Sequence, residues 1–333
     1  MARQAKVLFI GFDRLLPVTH GGRMAQYGYY LPLSRRFDVD VMMMSFGRSL
    51  KSLAGLPDCP VSRDLAFSYI GVVDDDLYAR INDQSPYDAI VTLYPLDPAR
   101  LRHRTKVVKI FLDLQSRHVQ EDITLAPFTF FIEELERELF GRYDQVVACS
   151  PLDASLEAPL EYIPFCVEMG TREHYQSSRT LYLAGSAVWP RFTRSLDFLL
   201  RQIDLLQGHL LVYADLPQQD FHPKVTLTYD PAGCRTETCA YSIQPLDYIS
   251  GIPAKSLESL SRGIPVITSP HMKKTCFAAH RHVYAVRDLR EVNPLLDRDD
   301  RSLIATYAEI SEDLDRERGC EVVADRLQSL LGL

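Results

Sequence analysis

The residues best suited to chemistry lie in one run of the sequence, from Gln244 to Ser269. Here Gly251-Ile252-Pro253-Ala254 leads into Lys255 and Glu258, and Gly263 follows. Proline suits the first position of a helix, where its missing N–H is not needed, and glycine suits the end. A helix over 253–262 would leave unpaired N–H groups around Gly251–Ala254, a natural seat for a diphosphate. Lys255 and Glu258 are three residues apart and share one helical face. The lysine can add positive charge near a phosphate. The carboxylate can accept two hydroxyl hydrogen bonds, as a ribose diol would offer. The same spacing also fits a solvated helix on which Glu258 pairs with Lys255 or Arg262, and local pattern does not choose between the two.

A second candidate is the loop after the first apolar run, with His20-Gly21-Gly22-Arg23 at its end. Adjacent glycines let backbone approach a ligand closely, and a following helix aims free N–H groups at an anion. A plain strand-to-helix turn fits as well, and the dinucleotide fingerprint G-x-G-x-x-G is absent. Asp13, His20, Asp113 and His118 sit where strands are predicted to end, the edge at which open parallel sheets bind ligands. Asp113 and His118 rank above Asp13 because a plain turn would not require them.

The elements that must position these residues alternate strand and helix. Strands are predicted at Lys6–Gly11, Asp38–Met44, Phe67–Val72, Tyr87–Leu93, Lys106–Leu112 and Asp144–Cys149, with helices near 22–36, 74–84 and 128–141. After a polar stretch at 165–179 the rhythm restarts. Strands follow at Thr180–Gly185, Leu210–Ala214, Lys224–Tyr229, Cys239–Gln244, Ile264–Ser269 and His282–Val286, with helices at 193–206, 254–262 and 299–331. This is the pattern of βαβ units and parallel sheets, and it predicts two α/β halves.

Composition narrows the class. The chain has 333 residues, 46% hydrophobic and 24% charged, which excludes a disordered or collagen-like polymer. No run approaches the ~18 apolar residues of a membrane span, and the opening Met1–Lys6 reads without a signal peptide. The expected location is the cytoplasm, with a peripheral membrane contact as an added option. The net charge of −7 argues against a dedicated nucleic-acid binder. Seven scattered cysteines read as reduced thiols. Asp38-Val-Asp40 sits in a predicted strand, and Asp74-Asp75-Asp76 reads as a helix start, so no metal site is expected. Arg100, Arg102, Arg104, Lys106 and Lys109 form a basic stretch. It reads as a solvated edge or as a contact for anionic lipid or a phosphorylated acceptor.

Taken in order, these motifs resemble the GT-B glycosyltransferases, in particular the glycosyltransferase family four type, over nearly the whole chain. His20-Gly21-Gly22-Arg23 with Phe37–Val41 is similar to that family's opening motif. Glu136…Tyr143–Ser150, Tyr162-Ile163-Pro164-Phe165 and Leu183-Ala184-Gly185 follow in the family's order. Pro253–Pro265 is the most specific match. The resemblance implies two Rossmann-like domains with parallel sheets facing across a cleft. Residues 1–165 would bind the acceptor, 166–178 would link, and 179–310 would bind the nucleotide-sugar donor. Residues 311–333 would form a last helix crossing back.

The resemblance also implies roles. Glu258 would hold the donor ribose, while Gly251 and Ile252 would meet the diphosphate, assisted by Lys255. Gly21 and Gly22 would face donor phosphates and acceptor. Ser186 stands where many members carry arginine, and Arg191 and Arg194 would supply the charge. Ser250 stands where many retaining members carry a first glutamate. In a retaining enzyme the leaving phosphate would help to take the acceptor proton. An inverting one would need a base, for which Asp113, His118 and His20 are the candidates. No cofactor or metal is expected. The partners implied are a nucleoside diphosphate-sugar and a hydroxyl acceptor: a glycan, a lipid-linked saccharide or a small glycoside. A hexosyltransferase with retention is the leading expectation. The alternatives are a non-hydrolysing sugar-nucleotide epimerase and a non-catalytic partner subunit.

Overall fold

A computed structural model describes residues 4–12, 15–16, 21–44, 75–84, 86–94, 96–114, 117, 129–154, 160–170, 178–185, 190–216, 221–229, 239–248, 251–298 and 300–333. The predicted strand Phe67–Val72 lies outside them, as do Asp13, His20, His118, Ser186, Trp189 and Ser250. The chain forms two compact units. The first comprises Met1–Cys166, Ile249–Ile252 and Cys320–Leu333; the second comprises Val167–Tyr248 and Pro253–Gly319.

The first unit holds a six-stranded parallel sheet in the order β2-β1-β3-β4-β5-β6. Its strands are β1 (Lys6–Phe12), β2 (Asp38–Met44), β3 (Ala89–Thr92), β4 (Lys106–Phe111), β5 (Gln145–Ala148) and β6 (Leu160–Tyr162). The central strands are mostly apolar and buried on both faces, as parallel strands covered by helices must be, with Thr92 and Lys109 as buried exceptions. Around them lie α1 (Gly21–Arg36), α2 (Asp75–Asp83), α3 (Thr129–Phe140) and the single turn α4 (Pro151–Ala154). Asp40, half of the D-x-D in β2, pairs with Lys6 at 3.0 Å and accepts from the Tyr87 hydroxyl at 3.0 Å. The Lys6 hydrogen bond holds its carboxyl below the usual range. That is a cross-strand pair.

The second unit repeats the plan in the order β12-β11-β10-β7-β8-β9, also parallel. Its strands are β7 (Thr180–Ala184), β8 (His209–Tyr213), β9 (Val225–Thr228), β10 (Tyr241–Gln244), β11 (Val266–Thr268) and β12 (Val283–Ala285). Its helices are α5 (Pro190–Leu200), α6 (Ala254–Ser261), α7 (Pro270–Cys276), α8 (Asn293–Leu296) and α9 (Asp300–Arg318). One face of the sheet packs Leu181, Leu183, Leu210 and Val212 under Phe192, Leu196 and Leu199 of α5. A ladder of charge pairs fixes α9: His282–Glu309, Arg281–Asp313 and His280–Glu317, at 2.6, 2.9 and 2.9 Å. The acids recur every four residues, so they share one face of the helix.

The expected single helix over 299–331 is two. Gly319 separates α9 from α10 (Cys320–Leu331), and a side chain at 319 would meet the Asp315 carbonyl at 2.4 Å. Helix α10 belongs to the first unit. There Arg36 of α1 reaches Glu321 and Asp325 at 2.7 Å and Gln328 at 3.1 Å. The unit break falls at Cys166/Val167, and residues 249–252 join the first unit instead of the predicted donor domain.

The basic stretch does not act as one surface. Arg100 stacks on the Tyr78 ring at 4.0 Å, and Arg102 lies 3.5 Å from Asp83. Lys106 donates to the Leu330 carbonyl at 2.6 Å. Lys109 is buried, with its Nζ donating to the Leu93 carbonyl at 2.5 Å. Burial pulls the Lys109 pKa down to about 7. Between there and its ordinary value of 10.5, the unfolded chain holds a proton that the folded chain does not, so stability rises with pH across that window. Below it the core carries a desolvated ammonium. Lys109→Met is therefore expected to stabilise the protein by ~1–3 kcal/mol at pH 6. The gain should shrink towards pH 10, as read from urea midpoints at several pH values.

Candidate functional site

In the second sheet the strand order reverses between β10 and β7. Open α/β sheets bind ligands outside the carboxyl ends of the strands at such a reversal. The ends of β7 and β10 are tied together, with Gln244 Nε2 donating to the Ala184 carbonyl at 3.4 Å. The loop after β7 leads into α5 and the loop after β10 into α6.

Both helices start without an acidic residue in the first turn. Instead α5 carries Arg191 there, with Arg194 exposed three residues on, and α6 carries Lys255. A helix N-terminus is already the positive end of its dipole, so a cation there favours an anion close by, a part that Glu258 plays for Lys255. Arg191 lies over the Tyr248 ring, its guanidinium carbon 4.6 Å from the centroid. Helix α1 of the first unit shares the bias: Gly21 and Gly22 open it, Arg23 follows, and its first turn has no acid. The end of β1 is tied to it by Gln26, whose amide exchanges hydrogen bonds of 2.7 and 3.0 Å with the Phe12 backbone.

Glu258 sits one turn into α6 with both oxygens engaged. Lys255 reaches Oε2 at 2.8 Å and Arg262 reaches Oε1 at 2.7 Å. The ion-paired arrangement allowed by the sequence is thus the one present. A carboxylate offers about four lone-pair sites, so two hydroxyl donors still fit. At 30% exposure the group remains open to them. Ser256, in the same helix, is fully buried, and its hydroxyl has no hydrogen-bond partner among the described residues.

In the first unit two carboxylates converge on Gly251. Its N–H donates to Asp153 Oδ2 at 2.9 Å, and its φ is +73°. A side-chain carbon at this position would lie 1.7 Å from Asp113 Oδ1. The Gly251 amide expected to face a phosphate therefore already binds an anion, the protein's own carboxylate. Ile252 beside it is buried. The structure brings Asp113 and Gly251 together, while His20 and His118 lie outside the described residues. Sequence reasoning missed Asp153 and Tyr248. No cluster of three or more metal-ligating side chains occurs among the described residues, nor is any described helix long and apolar enough to cross a membrane.

No protein-family model matches the sequence, and no curated protein matches it. Solved structures do match along the whole chain. Sucrose-phosphate synthase from Thermosynechococcus elongatus superposes with a TM-score of 0.68 at 13% identity, covering 98% of each chain. The spinosyn forosaminyltransferase SpnP gives 0.56 at 14% identity, covering 100% of both chains. The calicheamicin glycosyltransferase CalG4 gives 0.53 at 13% identity, covering 100% of this chain and 99% of its own. The fold is GT-B. At such identities the likeness carries the architecture alone, and any activity has to be argued from the side chains of this GT-B chain.

Proposed function

We propose that this protein is a glycosyltransferase that moves a sugar from a nucleoside diphosphate-sugar to a hydroxyl acceptor. The observation that carries the reading is the placement of Arg191 and Lys255 in the first turns of α5 and α6, beside the strand reversal of the second sheet. Two helix N-termini with added cations suit a diphosphate, whose charge grows as the sugar leaves. In this reading Arg191, Arg194 and Lys255 stabilise the departing diphosphate. Glu258 accepts the ribose hydroxyls. Gly21 and Gly22 leave room for phosphate or acceptor at the start of α1. The motif order of family four and the chemistry named for the fold's neighbours support it; a TarM complex contains UDP and alpha-GlcNAc-glycerol.

The transfer is read as retaining, with the leaving phosphate receiving the acceptor proton. Asp113 then orients the acceptor hydroxyl and does not act as the base. Asp113→Asn is expected to lower kcat/KM by about tenfold, the size of one lost hydrogen bond. A loss of about 10³-fold, together with an inverted anomer in the product, would make Asp113 the general base. The first experiment is a thermal-shift screen against nucleoside diphosphates and their sugars, since bound ligand raises apparent stability. Acceptor-dependent release of the nucleoside diphosphate then separates transfer from epimerisation. If no nucleotide shifts the melting temperature, the proposal is lost.

One observation favours a second reading, a non-catalytic subunit. Serines occupy positions 186 and 250, where the family resemblance calls for charged residues. Nucleotide binding without turnover on any donor would select this reading.

A further inference from the structure

We propose that Tyr248 is a positioning residue that holds the Arg191 guanidinium as a planar clamp for the diphosphate, which rests on the donor site proposed above. Arg191 occupies the first turn of α5, where the helix dipole opposes a cation. An arginine there needs a surface to lie on. The Tyr248 ring supplies one, 4.6 Å from the guanidinium carbon. Tyr248 is itself anchored through its backbone and its neighbour. Its backbone N–H donates to Met272 Sδ at 3.2 Å, and the neighbouring Asp247 carboxylate accepts from the Ser269 hydroxyl that caps α7.

Arg191 comes from the start of α5, which follows β7, and Tyr248 from the loop after β10, the pair of strands at which the order reverses. Stacking uses the face of a guanidinium and leaves its N–H donors in the plane, the geometry that grips two phosphate oxygens at once. A lysine could not be held in this way, because an ammonium has no plane to stack. The inference therefore separates two properties of the side chain. Charge alone should not suffice at position 191, and an aromatic ring should be required at 248.

The test measures binding of UDP and of inorganic pyrophosphate by calorimetry at low salt, with melting temperatures recorded beside it. Tyr248→Leu is expected to weaken both ligands by about two- to fivefold, and Tyr248→Phe to bind like the parent. Arg191→Lys should weaken both although the charge is kept. In an Arg191→Ala background, Tyr248→Leu should cause no further loss, because the ring would have nothing left to hold. Equal affinities for Tyr248→Leu and the parent would overturn the inference. So would a loss of the same size in the Arg191→Ala background, which would mark the ring as mere packing. If the parent protein binds neither UDP nor pyrophosphate, the donor site falls and the clamp with it; if it binds and the ring proves irrelevant, only the clamp falls.

Discussion

Replacing Gly251 with alanine is expected to damage both stability and transfer. The position holds φ at +73°, a conformation that costs an L-residue roughly 1–2 kcal/mol. The added carbon would also fall 1.7 Å from Asp113 Oδ1, far inside contact distance. Either the carboxylate moves or the Gly251 N–H leaves Asp153. A melting temperature lower by about 5 °C is expected, together with a loss of transfer of about 100-fold, the size of effect that a displacement of ~1 Å brings. Both should be partly restored by adding Asp113→Ala, which removes the obstructing oxygen. Neighbouring changes of this kind are not additive. A Gly251→Ala variant with the parent's melting temperature and turnover would refute the packing described around this residue.

The second large effect is expected at Glu258. The carboxylate has two cationic partners on the same helix, Lys255 and Arg262. If those ion pairs were its whole purpose, Glu258→Ala would cost no more than ~1 kcal/mol of stability, the usual worth of a partly exposed pair, and would leave ligand binding alone. If the group holds a ribose, the same change removes charged hydrogen bonds worth ~1.5–3 kcal/mol. Affinity for the preferred nucleoside diphosphate should then fall about 10- to 100-fold while the melting temperature stays within about 3 °C. Calorimetry on one variant separates the two outcomes. An unchanged dissociation constant would remove Glu258 from the site.

Much of the architecture could be read from the sequence because buried parallel strands are continuous apolar runs. Ala89–Val91 and Val146–Ala148 are cases in point, lying within a residue or two of where their β-branched residues place them. Shorter elements escaped. β6 is three residues long, too brief for a period to show. Helix α7 has a clear start, with Ser269 as cap and Pro270 in its first turn, but is only seven residues long. The break at Gly319 was hidden because helix formers flank it on both sides, and the carbonyl that leaves no room for a side chain there comes from the fold.

For the site, local chemistry was legible and long-range chemistry was not. Pro253, Lys255, Glu258 and Gly263 announce a helix with a charged face, and α6 forms there with Gly263 at φ +70°. Nothing near Asp153 tells that its carboxylate will accept a backbone N–H from a residue 98 positions away. Tyr248 is likewise silent until folding sets it under Arg191. The basic stretch misled for the same reason. Composition counts charges, whereas topology decided that Lys109 would be buried and that Lys106 would meet the end of α10.

The first unit is assembled from segments far apart in the sequence, since Cys320–Leu333 packs with Met1–Cys166 through Arg36 and Lys106. During synthesis its sheet must wait, with α1 partly bare, until Cys320–Leu333 has cleared the ribosome. The second unit needs no such delay and can close first. Deleting Cys320–Leu333 therefore endangers the unit whose sheet is made earlier.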